Sequence, residues 1–420
     1  MADKATSDDT STVQADVLII GGGFVGNTLA AALSGTGLKT VLVDTQDLKT
    51  AIDAEFDGRS FAISLSNQRM LEEVGVWSSL APFAEPILDI RISDGPSLLF
   101  LHYDHRETGD GPMGFMVENQ HLRRAHYERL SDADGVSIFA PDRVETLDRH
   151  SGGVRARLVS GKEIQARVAV AADGRASSTR QGAGIELTQW SYHQSGIVCT
   201  VRHQRHHENI AHERFLPAGP FAILPLQGDP PEAGNRSSLV WTERDHLTPP
   251  LMAADEATFV AELRRRFGDF LGDVELAGPR YVFPLSLQFA SRMTDTRLAL
   301  AGDAAHAMHP IAGQGLNMGL RDVAVLAEVL IDAARLGQDI GDAMVLERYA
   351  RWRRFDNTLM LAATDGLNRL FSNDVGPVRM ARDFGLAAVN RVPPLKRFFM
   401  RHAMGLVGEL PRLLRGEPLI

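Results

Sequence analysis

Short apolar runs broken by glycines open the chain. Val17-Leu18-Ile19-Ile20 ends in Gly21-Gly22-Gly23, a small-residue stretch over about 26–34 follows, and Gly35 and Gly37 close it before Thr40-Val41-Leu42-Val43-Asp44. An unalternating apolar run, a helix-length segment and a second apolar run predict a β-α-β unit of a parallel sheet. The pattern then predicts a helix over 60–80 with Trp77 near its end. It predicts strand over 87–101, where Ile90 and Ile92 alternate and an apolar run spans 98–101, a helix over 119–133 and a strand over Val136–Phe139. Two further strands, 154–159 and 164–170, flank Ser160-Gly161, a hairpin signal.

From about 189 to 284 the pattern changes to longer strands joined by Leu216-Pro217-Ala218-Gly219-Pro220 and Gly228-Asp229-Pro230-Pro231, which suits a mostly antiparallel sheet. Within it, 255–270 is the exception, because Phe259, Leu263 and Phe267 recur at helical spacing and Asp255 suits an N-cap. After Pro284 the α/β pattern returns. The expected class is therefore α/β: a discontinuous Rossmann-like domain (15–85, 106–186 and 286–375) with an inserted, mostly antiparallel β-sheet domain (86–105 and 187–285). A disordered tail over 1–14 and a C-terminal helical segment over 376–420 complete it.

Composition narrows the function classes. With 420 residues, 44% of them apolar and 23% charged, the chain reads as a soluble globular protein of two or three domains. A net charge of −9 argues against nucleic acid as a partner. Cys199, the one cysteine, excludes an internal disulfide and a Cys-rich metal site and suits a reducing compartment, so the expected location is cytoplasmic. Residues 1–14 lack the apolar core of a signal peptide, and no apolar run nears the roughly 18 residues of a membrane span. Residues 376–420 differ: seven Arg and one Lys against three acids give +5, mixed with many apolar side chains. That composition fits a segment lying on the inner face of an anionic membrane, and equally a packed helix pair with solvated arginines.

Three stretches carry chemistry. Gly21-Gly22-Gly23-Phe24-Val25-Gly26 fits G-x-G-x-x-G between strand and helix: Gly21 permits the tight turn, Gly23 the approach of a pyrophosphate, and Gly26 close helix–sheet packing. Asp44, at the end of the next strand, suits a ribose hydroxyl without a 2′-phosphate. Val170-Ala171-Ala172-Asp173-Gly174-Arg175 ends a second apolar strand in Asp-Gly. The third stretch, Leu298-Ala299-Leu300-Ala301-Gly302-Asp303, leads into His309-Pro310-Ile311-Ala312-Gly313-Gln314-Gly315-Leu316-Asn317-Met318-Gly319-Leu320-Arg321-Asp322. It reads as strand, carboxylate, glycine-bearing loop and helix, which places an acid and free helix N-terminal N–H groups on one side of a sheet.

Together these stretches resemble the flavoprotein aromatic hydroxylases with the p-hydroxybenzoate hydroxylase-type fold and, more narrowly, the ubiquinone-biosynthesis hydroxylase family. The likeness covers nearly the whole chain after the tail and is most specific over 309–322. Asp57-Gly58-Arg59-Ser60, Glu213-Arg214-Phe215-Leu216-Pro217-Ala218-Gly219-Pro220, Leu224-Pro225-Leu226 and Val240-Trp241-Thr242 support it. Asp44 departs from it, since the family more often carries Glu there. The resemblance implies that Gly21, Gly23 and Gly26 hold the FAD pyrophosphate, Asp44 the adenosine ribose, Arg59 the pyrophosphate and flavin edge, and Asp303, after Gly302, the ribityl chain. It implies that the Val144 backbone meets the adenine and that backbone N–H groups of Gly315, Leu316 and Asn317 face the flavin pyrimidine oxygen. Asp173-Gly174, with Arg180, would serve both FAD and NAD(P)H.

The activity so implied is NAD(P)H- and O2-dependent hydroxylation of a polyprenylated phenol through a flavin C4a-hydroperoxide, in a site that excludes water. Pro310, through its backbone, and Gly313 would wall the oxygen pocket. His306 and His309 read as packing histidines without a partner carboxylate, and no metal-ligand spacing stands out. Membership of a biosynthetic complex or a homo-oligomer stays open. So do two alternatives: a hydroxylase of a soluble aromatic compound, and a flavin-bound scaffold with little turnover.

Overall fold

The computed structural model describes residues 12–52, 58–95, 100–228, 233–309 and 313–372, residues 382 and 385, and residues 388–420. Its first half is built from β1 (Val17–Ile20), α1 (Phe24–Leu33), β2 (Thr40–Val43), β3 (Ser60–Ser64), α2 (Leu65–Glu73), β4 (Asp89–Asp94), β5 (Phe100–Asp104), β6 (Gly114–Glu118) and α3 (Asn119–Ser131). Then come β7 (Val136–Phe139), β8 (Val144–His150), β9 (Gly153–Leu158), β10 (Glu163–Ala166), β11 (Val168–Ala171), β12 (Leu187–His203), β13 (Ile210–Leu216), β14 (Gly219–Leu226) and β15 (Arg236–Arg244). The last part holds α4 (Glu256–Phe267), β16 (Tyr281–Ala290), β17 (Leu298–Leu300), β18 (His306–Ala307), α5 (Gln314–Arg335), α6 (Ala343–Phe371), α7 (Pro393–Ala403) and α8 (Arg412–Arg415).

The unalternating apolar runs become a parallel sheet in the order β17-β11-β1-β2-β7, with Thr294–Asp295 antiparallel on its outer edge. Every residue of β1, β2, β11 and β17 is buried, as strands covered on both faces require. The two-residue period divides each run between two cores. Val17, Ile19, Leu42 and Val170 pack with Leu29 and Leu33 of α1 and Val323, Leu326 and Leu330 of α5. Leu18, Ile20, Val41 and Ala171 pack instead with Val154, Ala156, Leu158 and Ile164 of the β8–β10 layer. The carboxyl ends of β1, β11 and β17 thereby meet at one edge, where a parallel sheet presents its loops.

The large sheet runs β18-β16-β12-β15-β14-β13-β4-β5, antiparallel throughout except that β13 and β4 are parallel. It draws β4 and β5 from an early stretch, β12–β16 from a later one and β18 from beyond β17, so the chain passes into it three times. Phe259, Leu263 and Phe267 of α4 seal one face against Phe221 and Trp241. Asp255 caps α4, its Oδ1 accepting from the Thr258 N–H at 2.7 Å. The opposite face is left to floor a cavity.

Three expectations need correction or refinement. Residues 60–80 are not one helix: Ser60-Phe61-Ala62-Ile63-Ser64 pairs antiparallel with β6, and helix begins only at Leu65. Here a long-range partner overrode a locally helical pattern. The expected strand over 164–170 is two strands in two sheets, broken at Arg167, because β10 pairs with β9 while β11 pairs with β1 and β17. Val13 and Gln14, at the end of the stretch read as tail, pair in parallel with Ile164 and Gln165. No helix among the described residues is long and apolar enough to cross a membrane.

Candidate active site

The glycine turn is fixed by contact rather than by composition. Gly21 has φ +107°, and a Cβ there would stand 2.4 Å from the Ala172 carbonyl oxygen in the loop after β11. A Cβ on Gly26 would lie 1.9 Å from the Gly21 carbonyl oxygen. The turn, the start of α1 and the Asp173-Gly174 loop are therefore locked together. Around Gly23 a Cβ would meet nothing within 4 Å, and α1 starts with no side chain capping its N–H groups. That exposed helix N-terminus faces open space, the geometry an anionic phosphate requires.

Asp44 stands at the end of β2, one carboxylate oxygen accepting from the Gly22 N–H and the other from the Gln46 N–H at 2.6 Å. It braces the glycine turn, and each oxygen keeps a lone pair for a ribose hydroxyl. Asp173 accepts from the Thr179 N–H at 3.1 Å through one oxygen, while its buried Oδ1 has no partner among the described residues. Arg180 is turned inward, donating to the carbonyls of Ala304 at 2.9 Å and Arg175 at 3.0 Å. It staples the two Asp-bearing loops together and does not reach outward to a dinucleotide.

Gly302 follows β17, and its N–H donates to Asp322 at 2.9 Å. Asp303, half-exposed, meets Arg175 at 3.3 Å. Asp322 is fully buried and also receives His306 Nε2 and Arg353 Nε, each at 2.7 Å. Burial alone would raise the Asp322 carboxyl, but the His306 and Arg353 charges hold it down at about 2. His306 thus has the partner carboxylate that the sequence reading lacked. Asp322 lies 16 residues further on, and only the return of α5 beneath β17 brings it near. Among the described residues His309, a buried histidine packed edge-on to Tyr192, has no ring-nitrogen partner, and burial lowers it to about 4.

Gly313 caps α5 in the left-handed region at φ +62°, where a Cβ would press within 3.0 Å of Ala62. The Asn317 side chain is committed to structure: Oδ1 accepts from Ser64 N at 2.9 Å and Asn67 Nδ2 at 2.8 Å, and Nδ2 donates to Ala62 O at 2.7 Å and Gly313 O at 3.0 Å. Two of these bonds pin the uncapped start of α5 onto β3, a third ties it to α2, and the fourth closes on the Gly313 cap itself. Pro310, singled out from sequence, lies outside the described residues.

Both ends of the chain open onto one cavity of about 1480 Å³. Gly23, Arg59, Asp303, Gly313, Gly315, Leu316 and Asn317 line it, whereas Gly21, Gly26, Asp44, Asp173 and Gly302 stand behind that lining. Val144 sits apart, half-buried in the β8–β10 layer. Arg175, Phe283 and Pro284 also line the wall and were not singled out, and Arg59 stacks over Phe283 at 5.7 Å. The remainder of the cavity is apolar, floored by the large sheet and reaching Leu367, Leu370 and Phe399 on α6 and α7. An open glycine turn, two uncapped helix starts and an unpartnered buried carboxylate oxygen at one end of a single cleft fit a dinucleotide cofactor.

A family profile described as "FAD binding domain" matches residues 14–358. Among curated proteins, the chain is 54% identical over 408 residues to "Ubiquinone hydroxylase UbiL" of Rhodospirillum rubrum, covering 96% of this chain and 94% of that protein. It is 34% identical to the "3-demethoxyubiquinol 3-hydroxylase" of Escherichia coli, covering 93% and 98%. Among solved structures, p-nitrophenol 4-monooxygenase PnpA from Pseudomonas putida DLL-E4 superposes with a TM-score of 0.78 at 20% identity, covering 95% of this chain and all of that one, a likeness of fold.

Proposed function

The chain belongs to the ubiquinone-biosynthesis hydroxylase family of FAD-dependent monooxygenases, and from that membership we propose that it hydroxylates the ring of a polyprenylated phenol. One observation carries this reading: the polar, glycine-lined end and the long apolar end belong to the same cavity. FAD supplies the redox and oxygen-activating chemistry, with NAD(P)H and O2 as co-substrates. Gly23 and the start of α1 would take the pyrophosphate, Asp44 the adenosine ribose, and Asp303 and Asp173 the hydroxyls between. The N–H groups of Gly315, Leu316 and Asn317 would stabilise negative charge on the ring at the α5 start. Arg59 would add a fixed cation beside that charge. Pro310 and Gly313 would wall the place where oxygen meets the substrate ring.

The apolar chamber keeps water from that ring and receives the prenyl tail. Its lining includes the exposed side chains of Leu367, Leu370 and Phe399, so tail and membrane meet there. Around this mouth Val392, Leu395 and Phe398 are exposed beside Arg391 and Arg397. Other cations of the segment are paired internally: Arg382 with Asp94, Lys396 with Glu107, and Arg412 with Glu328 and Asp332. An apolar helix face flanked by arginines that share no acid among the described residues suits peripheral contact with an anionic bilayer.

The FAD-loaded protein is expected to oxidise NAD(P)H in step with hydroxylation of a prenylated phenol. Chromatographic product analysis against NAD(P)H consumed tests this. A flavin-bound scaffold forms no hydroxylated product, and a hydroxylase of soluble aromatics shows no preference for the prenylated ring.

A further inference from the structure

The floor of the apolar chamber contains one feature that its packing does not explain. On β13, Ala211, Glu213 and Phe215 face the cavity, while His212 and Arg214 face away. Glu213 lies in register with Ile92 of β4 and Ala222 of β14, both apolar and both lining the cavity. It is 9% exposed, and its carboxyl has no hydrogen-bond or ion-pair partner among the described residues. A buried, unpaired carboxyl is costly, and a fold without a use for it would carry an apolar side chain there.

Its surroundings point to the substrate ring. Ile90, Ile92, Ala211 and Leu224 around it pack in the same cluster as Ala62, which a Cβ on Gly313 at the start of α5 would meet. Glu213 therefore lines the same chamber as Gly313 and the start of α5. The other titratable or charged groups lining the cavity are Tyr103 on β5, Arg382, and Arg59, Arg175 and Asp303 at the cofactor end. Arg382 is engaged by Asp94 and the Leu370 carbonyl, and Arg175 by Asp303, so neither neutralises Glu213.

We propose that Glu213 binds the ring hydroxyl of the phenol and takes its proton. This rests on the phenol-hydroxylase reading above. The ring O–H bond breaks, a new O–H bond forms on a carboxylate oxygen of Glu213, and the electron pair remains on the ring oxygen. No electrons pass to or from the protein in this step. A ring carrying that pair is the stronger nucleophile toward an electrophilic oxygen. Burial, the cause of the shift, raises the Glu213 carboxyl to about 7, which poises it to exchange a proton near neutral pH.

The test uses the full-length, FAD-loaded protein, NAD(P)H and a phenol bearing one dimethylallyl group on its ring. Wild type is expected to give product at a rate that rises through about pH 7. Glu213→Gln is expected to keep the flavin absorbance and consume NAD(P)H, but to lower product per NAD(P)H by about 10²-fold and to lose that rise. Glu213→Asp should recover part of the yield, and a fluorinated, more acidic phenol should recover product in Glu213→Gln. Misfolding is controlled by heat stability. Between pH 4.5 and about 7 the folded wild type keeps a proton that the unfolded chain has released, so its stability falls as pH rises through that window. The Glu213→Gln variant lacks this fall and should melt no lower than wild type at pH 8. Unchanged coupling and pH profile in Glu213→Gln overturn the role of Glu213. A wild type that hydroxylates no phenol overturns the reading beneath it.

Discussion

At the scale of single residues, the glycine fingerprint was legible because its constraint is local. Gly26 answers to the Gly21 carbonyl a few residues away and Gly21 to the adjoining strand end, while Gly23 leaves open space at the helix start. The Gly26 contact gives a direct prediction. Gly26→Ala places a methyl 1.9 Å from a carbonyl oxygen, a backbone atom that no rotamer change can move aside. Pushing α1 off β1 is expected to abolish FAD retention and to cost about 2 kcal/mol or more. Flavin absorbance per protein and the thermal midpoint measure the two effects, and a yellow, equally stable variant contradicts this account of the turn. Asn317 shows the opposite case. Its place in the late motif is legible, but its side-chain task is hidden, because Ser64 and Asn67 are about 250 residues away and Ser64 ends a strand where the pattern predicts helix. Glu213 stood in plain view within a quoted stretch. Its one local signal was an acid on the inward-facing register of an apolar strand, and nothing in the sequence showed that the facing strands offer only Ile92 and Ala222.

Elements were readable where their period was unmistakable and ambiguous where a partner decided. The runs at 17–20 and 40–43 have the lengths and continuity of strands buried on both faces, and they form those strands, while 136–139 forms the partly exposed edge strand beside them. At 60–64 the preceding glycine and the following helix gave no such boundary, so pairing with β6 settled it. The position of β17 relative to α5 and α6 rests on Asp322, which ties the Gly302 amide, His306 and Arg353 into one buried knot. Asp322→Asn leaves the buried Arg353 guanidinium facing a neutral amide at Nε, with only Asp356, at 2.6 Å, as its remaining carboxylate among the described residues. The expected loss is about 3–5 kcal/mol, with weakened FAD binding because the Gly302-Asp303 loop loses its anchor. The wild-type stabilisation follows the sign of a depressed carboxyl: it is present above the ordinary 3.8 and lost as pH falls toward about 2. Denaturation between pH 7 and pH 2.5 should therefore show wild type converging on Asp322→Asn in acid. A gap that stays constant across that range rules out the knot as the source.

At the scale of the whole molecule, net charge concealed a division that matters. The chain carries −9, yet its last 45 residues are basic and apolar, a combination that composition alone left divided between membrane contact and a solvated helix pair. Both halves of that alternative have a physical basis in the fold. Met400, Met404, Leu413 and Leu414 are buried, and several cations bond acids elsewhere on the protein, so the segment is a packed part of the structure. What packing leaves over is Val392, Leu395, Phe398 and Phe399, with Arg391 and Arg397, at the mouth of the chamber. Replacing Leu395 and Phe398 together by Glu removes apolar area and adds like charge against an anionic surface while leaving the chamber floor and cofactor end untouched. Sedimentation with vesicles containing phosphatidylglycerol is expected to fall about tenfold or more, since each side chain contributes roughly 1.5–3 kcal/mol when buried. Wild-type binding should itself weaken as salt is raised, because the arginine contribution is screened. Hydroxylation of a long-tailed phenol held in those vesicles should fall with binding, whereas a phenol with one prenyl unit, supplied in solution, should be turned over at the wild-type rate. Equal loss on both substrates would place the defect in the chamber and not at its mouth, and the helix would then be a wall of the site and no docking surface.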